Sequence, residues 1–226
     1  MHEDVRRAGA RELAAQSLAR GDATGWFEEL YRTASSADDI PWADLTPNPN
    51  LMAWLAEHRV DGAERRALKV GAGLGDDAEA LAEREFRVTA FDVAPAAVQW
   101  ARQRFPQSPV NYRIADVLAP PVQWRGGYDF VLESYTLQVL PPNLRQIAAQ
   151  AITDMLAPEG TLLVIARGRD SSEDEGAMPW PLTPDELRAL FAPLRLVRFD
   201  DFVDDEHPPV RRLRAEFRRR GARCRS

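Results

Sequence analysis

Residues 66–77 read Arg66-Ala67-Leu68-Lys69-Val70-Gly71-Ala72-Gly73-Leu74-Gly75-Asp76-Asp77. The apolar residues Ala67, Leu68 and Val70 predict a buried strand, and the glycines after them a tight turn into a helix. A second strand follows over Arg87 to Phe91 and ends at Asp92. A strand, a glycine turn, a helix, a strand and an acid together form the unit with which open α/β sheets hold a nucleoside cofactor. Glycine at 71 and 73 lets the backbone approach a ligand with no side chain in the way. The dinucleotide fingerprint G-x-G-x-x-G needs a third glycine where this chain has Asp76; here the glycine falls one residue early, at Gly75. The spacing argues against a nicotinamide dinucleotide.

G-x-G-x-G points instead to S-adenosylmethionine (SAM). The N-terminus of the helix after the turn, with its free N–H groups and positive dipole end, is then the expected place for the methionine carboxylate. Asp92 is expected to accept from both ribose hydroxyls, with Val93 beside it, and the plain alternative is a helix-capping aspartate ahead of Pro95. Asp116 falls after a third strand, where its carboxylate would accept from the adenine amine and Val117 would pack on the ring; the alternative is a turn aspartate. A fourth strand runs into Glu133-Ser134-Tyr135. Ligands bind beyond the carboxyl ends of strands in such sheets, so these three are candidate contacts, whereas Leu137 and Val139 read as core.

Around this unit the chain alternates strand and helix, which predicts a mostly parallel sheet. Helices are expected over 76–84, from Pro95 to before Pro106, over 144–156, and from the Thr183-Pro184-Asp185-Glu186 cap to Phe191. Strands are expected over 66–70, 87–91, 110–114, 128–132, 161–166, 194–202 and 210–218. The short connection between the last two implies an antiparallel pair. Before the sheet, residues 3–20, a short stretch holding Trp26, Phe27, Leu30 and Tyr31, and residues 51–57 read as helices, separated by an irregular, proline-bearing segment over 35–50. The expected architecture is therefore a Rossmann-like α/β fold of seven strands with the last antiparallel, helices on both faces, and a helical cap. The cap is residues 1–60 and the core 61–226, within one domain.

The chain has 226 residues, 45% hydrophobic and 28% charged, as in ordinary globular proteins. No apolar run approaches the ~20 residues that span a bilayer, and the polar start has no signal-like stretch. The expectation is a cytoplasmic protein without a membrane partner. The net charge of −6 argues against nucleic acid. Arginines crowd the tail from Arg211 to Arg225, but Leu213, Ala215 and Phe217 alternate there, so the tail reads as a strand with the arginines mostly outward. The acids from Asp200 to Glu206 are candidate hairpin partners for it. Cys224 is the only cysteine and His2, His58 and His207 are isolated, so no metal centre is expected.

From Leu68 to Gly168 the chain resembles class I SAM-dependent methyltransferases, and more narrowly the thiopurine S-methyltransferase-like group of small-molecule and halide methyltransferases. Trp26-Phe27-Glu28-Glu29-Leu30-Tyr31 and Pro41-Trp42-Ala43-Asp44 are similar to that group's opening segments. The resemblance implies that the second segment folds over the cofactor and makes Trp42 a contact. It also implies S-adenosyl-L-methionine as donor, S-adenosyl-L-homocysteine (SAH) as product, and a small-molecule acceptor for a monomer or weak homodimer. Two positions depart from the pattern. Ala72 stands where the group commonly has cysteine. Lys69, the only lysine, stands where class I enzymes usually have an acid; a lysine in a central strand is costly unless paired or facing a ligand. The SAM carboxylate and Glu133 are its two candidate partners.

Methyl transfer from a sulfonium is a displacement that needs alignment and exclusion of water. A thiolate or halide acceptor needs no strong base, and Glu133 would be the base for an alcohol or amine. Trp26, Tyr135 and Trp180 are the acceptor-pocket candidates. Two rival readings are a degenerate SAM-binding protein, kept open by Lys69, and an NAD-dependent oxidoreductase, disfavoured by the glycine spacing.

Overall fold

In the computed structural model, which describes residues 2–206 and 208–221, seven strands form one sheet in the order β3-β2-β1-β4-β5-β7-β6. His207, Arg223, Cys224 and Arg225 lie outside the described residues. The strands are β1 (Arg66–Val70), β2 (Arg87–Asp92), β3 (Asn111–Ile114), β4 (Tyr128–Ser134), β5 (Leu156–Arg167), β6 (Arg195–Val203) and β7 (Arg211–Arg218). β1 to β5 pair in parallel, and β7 is antiparallel to both β5 and β6. The helices are α1 (His2–Ala19), α2 (Gly25–Thr33), α3 (Pro49–Glu57), α4 (Asp76–Ala82), α5 (Pro95–Arg104), α6 (Pro142–Met155) and α7 (Pro184–Leu190). Among the described residues no helix is long and apolar enough to cross a membrane.

The alternation of β1 explains why both faces of the sheet are covered. Leu68 and Val70 pack into one cluster with α6 and α7 residues such as Ile152 and Leu187. Ala67 packs into another with Leu55 of α3, Leu81 of α4 and Val98 of α5. Parallel strands buried on both sides are near-continuously apolar for this reason, and each buried Leu or Val stabilises by about 1.5–3 kcal/mol. A third cluster holds the N-terminal helices down: Trp26, Leu30 and Tyr31 of α2 meet Ile40, Leu74 and Ala97. Thr183 caps α7 as its sequence predicts, accepting from the Glu186 N–H at 3.1 Å while the Glu186 carboxylate accepts from the Thr183 N–H at 2.6 Å.

Three expectations need correction. β4 reaches Ser134, two residues beyond its predicted end, because its partner β5 continues beside it. β5 itself starts at Leu156, where helix 144–156 was expected to end, and a bend at Glu159, with φ of 61°, separates its first residues from the predicted stretch. The arginines of β7 are not mostly outward. β7 lies inside the sheet, so Arg212 (4% exposed) and Glu216 are buried on the face opposite Leu213. Buried charge is tolerated where it is paired. Arg212 is bound by Asp204 and Glu206, and Glu216 accepts from the Trp54 indole N–H at 3.1 Å. The acids of β6 do pair with β7 as expected: Asp200 meets Arg214 at 2.8 Å and Asp201 meets Arg211 at 2.7 Å.

Candidate active site

A cavity of about 360 Å³ opens along the carboxyl ends of the parallel strands. Its floor is the turn after β1, where Gly71, Gly73 and Gly75 all have positive φ (64°, 53° and 101°). The three glycines do different work. A Cβ at Gly71 would strike the Thr136 hydroxyl at 2.4 Å, and one at Gly75 the Tyr112 hydroxyl at 2.5 Å. A Cβ at Gly73 would meet nothing nearer than the Tyr31 hydroxyl at 3.5 Å, so this glycine keeps the floor open towards the cavity. The early third glycine thus serves backbone and packing together.

Asp92 ends β2 and locks the turn. Its Oδ2 accepts from the Gly73 N–H at 2.9 Å and its Oδ1 from the Ala94 N–H at 3.0 Å. Burial pushes its pKa up, against those hydrogen bonds and Lys69. Each carboxylate oxygen has a second lone pair, so ribose hydroxyls still fit. Asp116 holds itself in place by accepting from the Leu118 N–H at 2.8 Å, and it lines the cavity with Val93 and Val117. An open glycine floor, a fixed acid at the end of β2 and an acid beside apolar side chains after β3 fit a nucleoside bearing two hydroxyls and an exocyclic amine.

Lys69 is 3% exposed and reaches the cavity at its tip. Its Nζ donates to the carbonyls of Val70 and Gly71 at 2.8 and 2.9 Å and lies 3.7 Å from Asp77 Oδ2. The ion pair is therefore with Asp77, a residue the sequence reading missed, and not with Glu133. Asp77 also accepts from the Ser134 hydroxyl and from the Asn48 N–H, each at 2.8 Å. One carboxylate ties together β4, the lysine and the segment ahead of α3. The same residue corrects the expected carboxylate site at the start of α4: that helix is seven residues long and opens with Asp76, Asp77 and Glu79, which repel an anion.

Glu133 does not line the cavity. It is fully buried beneath the floor, its Oε1 accepting from the N–H groups of Thr136 and Leu137 at 2.7 and 2.9 Å. Burial pushes its pKa up to about 7, against those bonds and the nearby Lys69. It shapes the bend after β4 instead of facing an acceptor. Tyr135, with φ of 63°, does line the cavity, as does Ser134. The Tyr135 hydroxyl faces the side chains of Asn48 and Asn50, burial raises its pKa, and the Arg212 guanidinium lies 5.2 Å from its ring centroid.

Trp42, 36% exposed, is on the wall, its indole N–H donating to the Tyr31 hydroxyl at 2.9 Å. Trp26 is not on the wall: at 2% exposure it stacks on Phe27 (centroids 3.9 Å apart), and Phe27 takes the wall position. Trp180 packs against the same apolar cluster, its N–H donating to the Gln138 carbonyl at 2.7 Å, and its neighbours Met178 and Pro179 face the cavity. Trp26 went to the core, and Trp180 packs half-buried against the same cluster, because large apolar area is buried there. Tyr31, Arg7, Arg167 and Arg212 line the cavity without any sequence signal, since the sequence does not say which helix or strand ends meet there.

Known proteins share this fold. Residues 67–160 match the model of a methyltransferase domain family. Thiopurine S-methyltransferase of Aliivibrio fischeri is 26% identical over 73% of this chain and 71% of its own. Ubiquinone biosynthesis O-methyltransferase of Xanthomonas campestris is 35% identical over 54% of this chain and 51% of its own. The N-methyltransferase NodS of Bradyrhizobium japonicum, solved with SAH, superposes with a TM-score of 0.64 at 23% identity, covering 84% of this chain and 96% of that one. The methyltransferase-domain match and these relatives support a SAM-dependent methyltransferase of the class I type, with SAM as its methyl donor. The oxidoreductase reading is thereby set aside.

Proposed function

We propose that the enzyme methylates a small molecule through a soft nucleophile, a thiol or a halide, in the cytoplasm and as a monomer or weak homodimer. The observation that carries this reading is the position of Glu133: the candidate base of β4 is sealed beneath the floor with one oxygen committed to two N–H groups. An acceptor that needs no base is then favoured. The likeness to thiopurine S-methyltransferases supports it.

The residues divide by position. Asp92 accepts from the ribose hydroxyls, Asp116 from the adenine amine, and Val93 and Val117 pack on the base. Gly71, Ala72 and Gly73 leave room for the donor's chain, and Ser134 borders it. Lys69, buried and tied to the Val70 and Gly71 carbonyls and to Asp77, holds the floor beneath the donor's chain in place, and Trp42 closes over from the N-terminal segment. Residues 1–60 act as a cap on the core of 61–226. The bound donor supplies an electrophilic methyl on sulfonium sulfur, which leaves as a neutral thioether. Tyr135 and Phe27 hold the acceptor's apolar body on the axis of displacement and keep water out.

Labelled SAM incubated with thiols, iodide, phenols and amines at neutral pH tests the proposal. Thiols or iodide should be methylated at rates well above phenols and amines. Turnover confined to phenols or amines would overturn it.

A further inference from the structure

The edge of the sheet that faces the cavity changes sign along its length. Asp116 follows β3 and Asp92 ends β2; Arg167 ends β5, and Arg212 is its register partner on β7. Strand spacing of ~4.8 Å puts the β3 and β7 ends roughly 24 Å apart. The acids suit a cationic donor. The arginines then mark the other end, where the acceptor must enter.

The two arginines differ. Arg212 is engaged by Asp204 and Glu206. Arg167 lines the cavity half-buried, and its charged or titratable neighbours include Arg212, Arg7, Glu206 and Tyr135. Glu206, the acid among them, is spent on Arg212. Burial and the two neighbouring guanidiniums push the Arg167 pKa down. A cation held among cations is costly until an anion joins it. A carboxylate matches the planar guanidinium fork with two parallel hydrogen bonds. Tyr135, whose ring lies 5.2 Å from the Arg212 guanidinium, gives the same region flat apolar surface.

We infer that the β5–β7 end of the cavity is an anion subsite, in which Arg167 seats a carboxylate carried by the methyl acceptor. This rests on the donor occupying the acidic end. The acceptor class that follows is a small carboxylic acid with an apolar, ring-like body and a nucleophile set away from the acid group. Arg167 acts in specificity: it fixes which end of the acceptor enters first.

Thermal melting of the full-length protein saturated with SAH tests this, using a panel of aromatic carboxylic acids, each paired with its own primary amide. The panel carries thiol, phenol and amine substituents. Acids should raise the melting temperature where their amides do not, with binding about tenfold tighter or more, as for hydrogen bonds to charged groups. In Arg167→Gln that preference should vanish while the shift caused by SAH stays, and Arg167→Lys should restore part of it. If no acid outperforms its amide, or if Arg167→Gln keeps the preference, the subsite is overturned. A protein that shows no shift with SAH overturns the donor assignment instead, so the two failures are distinct.

Discussion

The two ends of one cavity were assembled in different ways. At the β2–β3 end, Gly73, Asp92 and Asp116 sit on consecutive strand–turn units, and the backbone N–H of Gly73 is already bound to Asp92. At the β5–β7 end, Arg167 and Arg212 come from strands that are neighbours only because β7 inserts between β5 and β6. The first end is a local motif with its side chains locked by local hydrogen bonds. The second depends on the whole topology, and the β6–β7 connection pairs Arg212 there through Asp204 and Glu206. A fixed donor site and a tertiary acceptor site are what a fold that serves many acceptors requires. β1 and β4 form the seam between them, where Lys69, Asp77 and Glu133 lie.

Removing the seam should have the largest effect. Lys69→Met deletes a buried cation and leaves Asp77 without its ion pair. Breaking a buried pair costs about 3–5 kcal/mol, so the variant's denaturation midpoint should fall by a corresponding amount, with SAH affinity falling too. A variant as stable as the natural protein that binds SAH more tightly would make Lys69 a handicap and not a strut.

The seam also carries a pH dependence, second in size. In the unfolded chain Glu133 titrates near its ordinary 4.5, and in the fold at about 7. The folded state therefore keeps a proton that the unfolded state releases. Stability is highest at low pH in this respect, falls as pH rises from about 4.5 to about 7, and is level above that. At 1.36 kcal/mol per unit the loss is on the order of 3 kcal/mol. Glu133→Gln keeps an oxygen for the Thr136 and Leu137 N–H groups and removes the titration. Urea unfolding from pH 4.5 to pH 8 should show the natural protein losing stability relative to the variant; parallel profiles would rule the effect out.

What the sequence made legible follows the same division. Strands β1 to β3, the glycine turn, Asp92 and Asp116 were readable because spacing along the chain fixes them. Tyr135 was readable from its place at the end of β4. Trp26 and Trp180 were misplaced because an aromatic residue has no periodicity that separates cavity wall from core; Trp26 is buried in the cluster beneath the N-terminal helices and Trp180 packs half-buried against it. Arg212 read as a solvated charge because alternation in β7 shows one buried face, while insertion into the sheet buries both. Asp77 had a faint signal, the second of paired acids after Gly75, but its partners Asn48, Lys69 and Ser134 come from three separate segments.

The smallest effect tests the most local part of the comparison. If the β2–β3 end is a complete reader of the nucleoside, Asp116 should discriminate the base by itself. Its Oδ1 is held by the Leu118 N–H, so the carboxylate is positioned before any ligand arrives. A hydrogen bond from the adenine amine to a charged acceptor is worth about 1.5–3 kcal/mol. The inosine analogue of SAH has an oxo group in place of that amine and presents an acceptor to an acceptor. Calorimetric titration should find SAH bound at least about tenfold more tightly than the inosine analogue. Asp116→Ala should bring the two affinities together by weakening SAH, with the fold's stability lowered by only about 0.5–1.5 kcal/mol for the lost Leu118 hydrogen bond. Equal affinities in the natural protein would return Asp116 to the plain role of a turn aspartate, and base recognition would then rest on Val93 and Val117 alone.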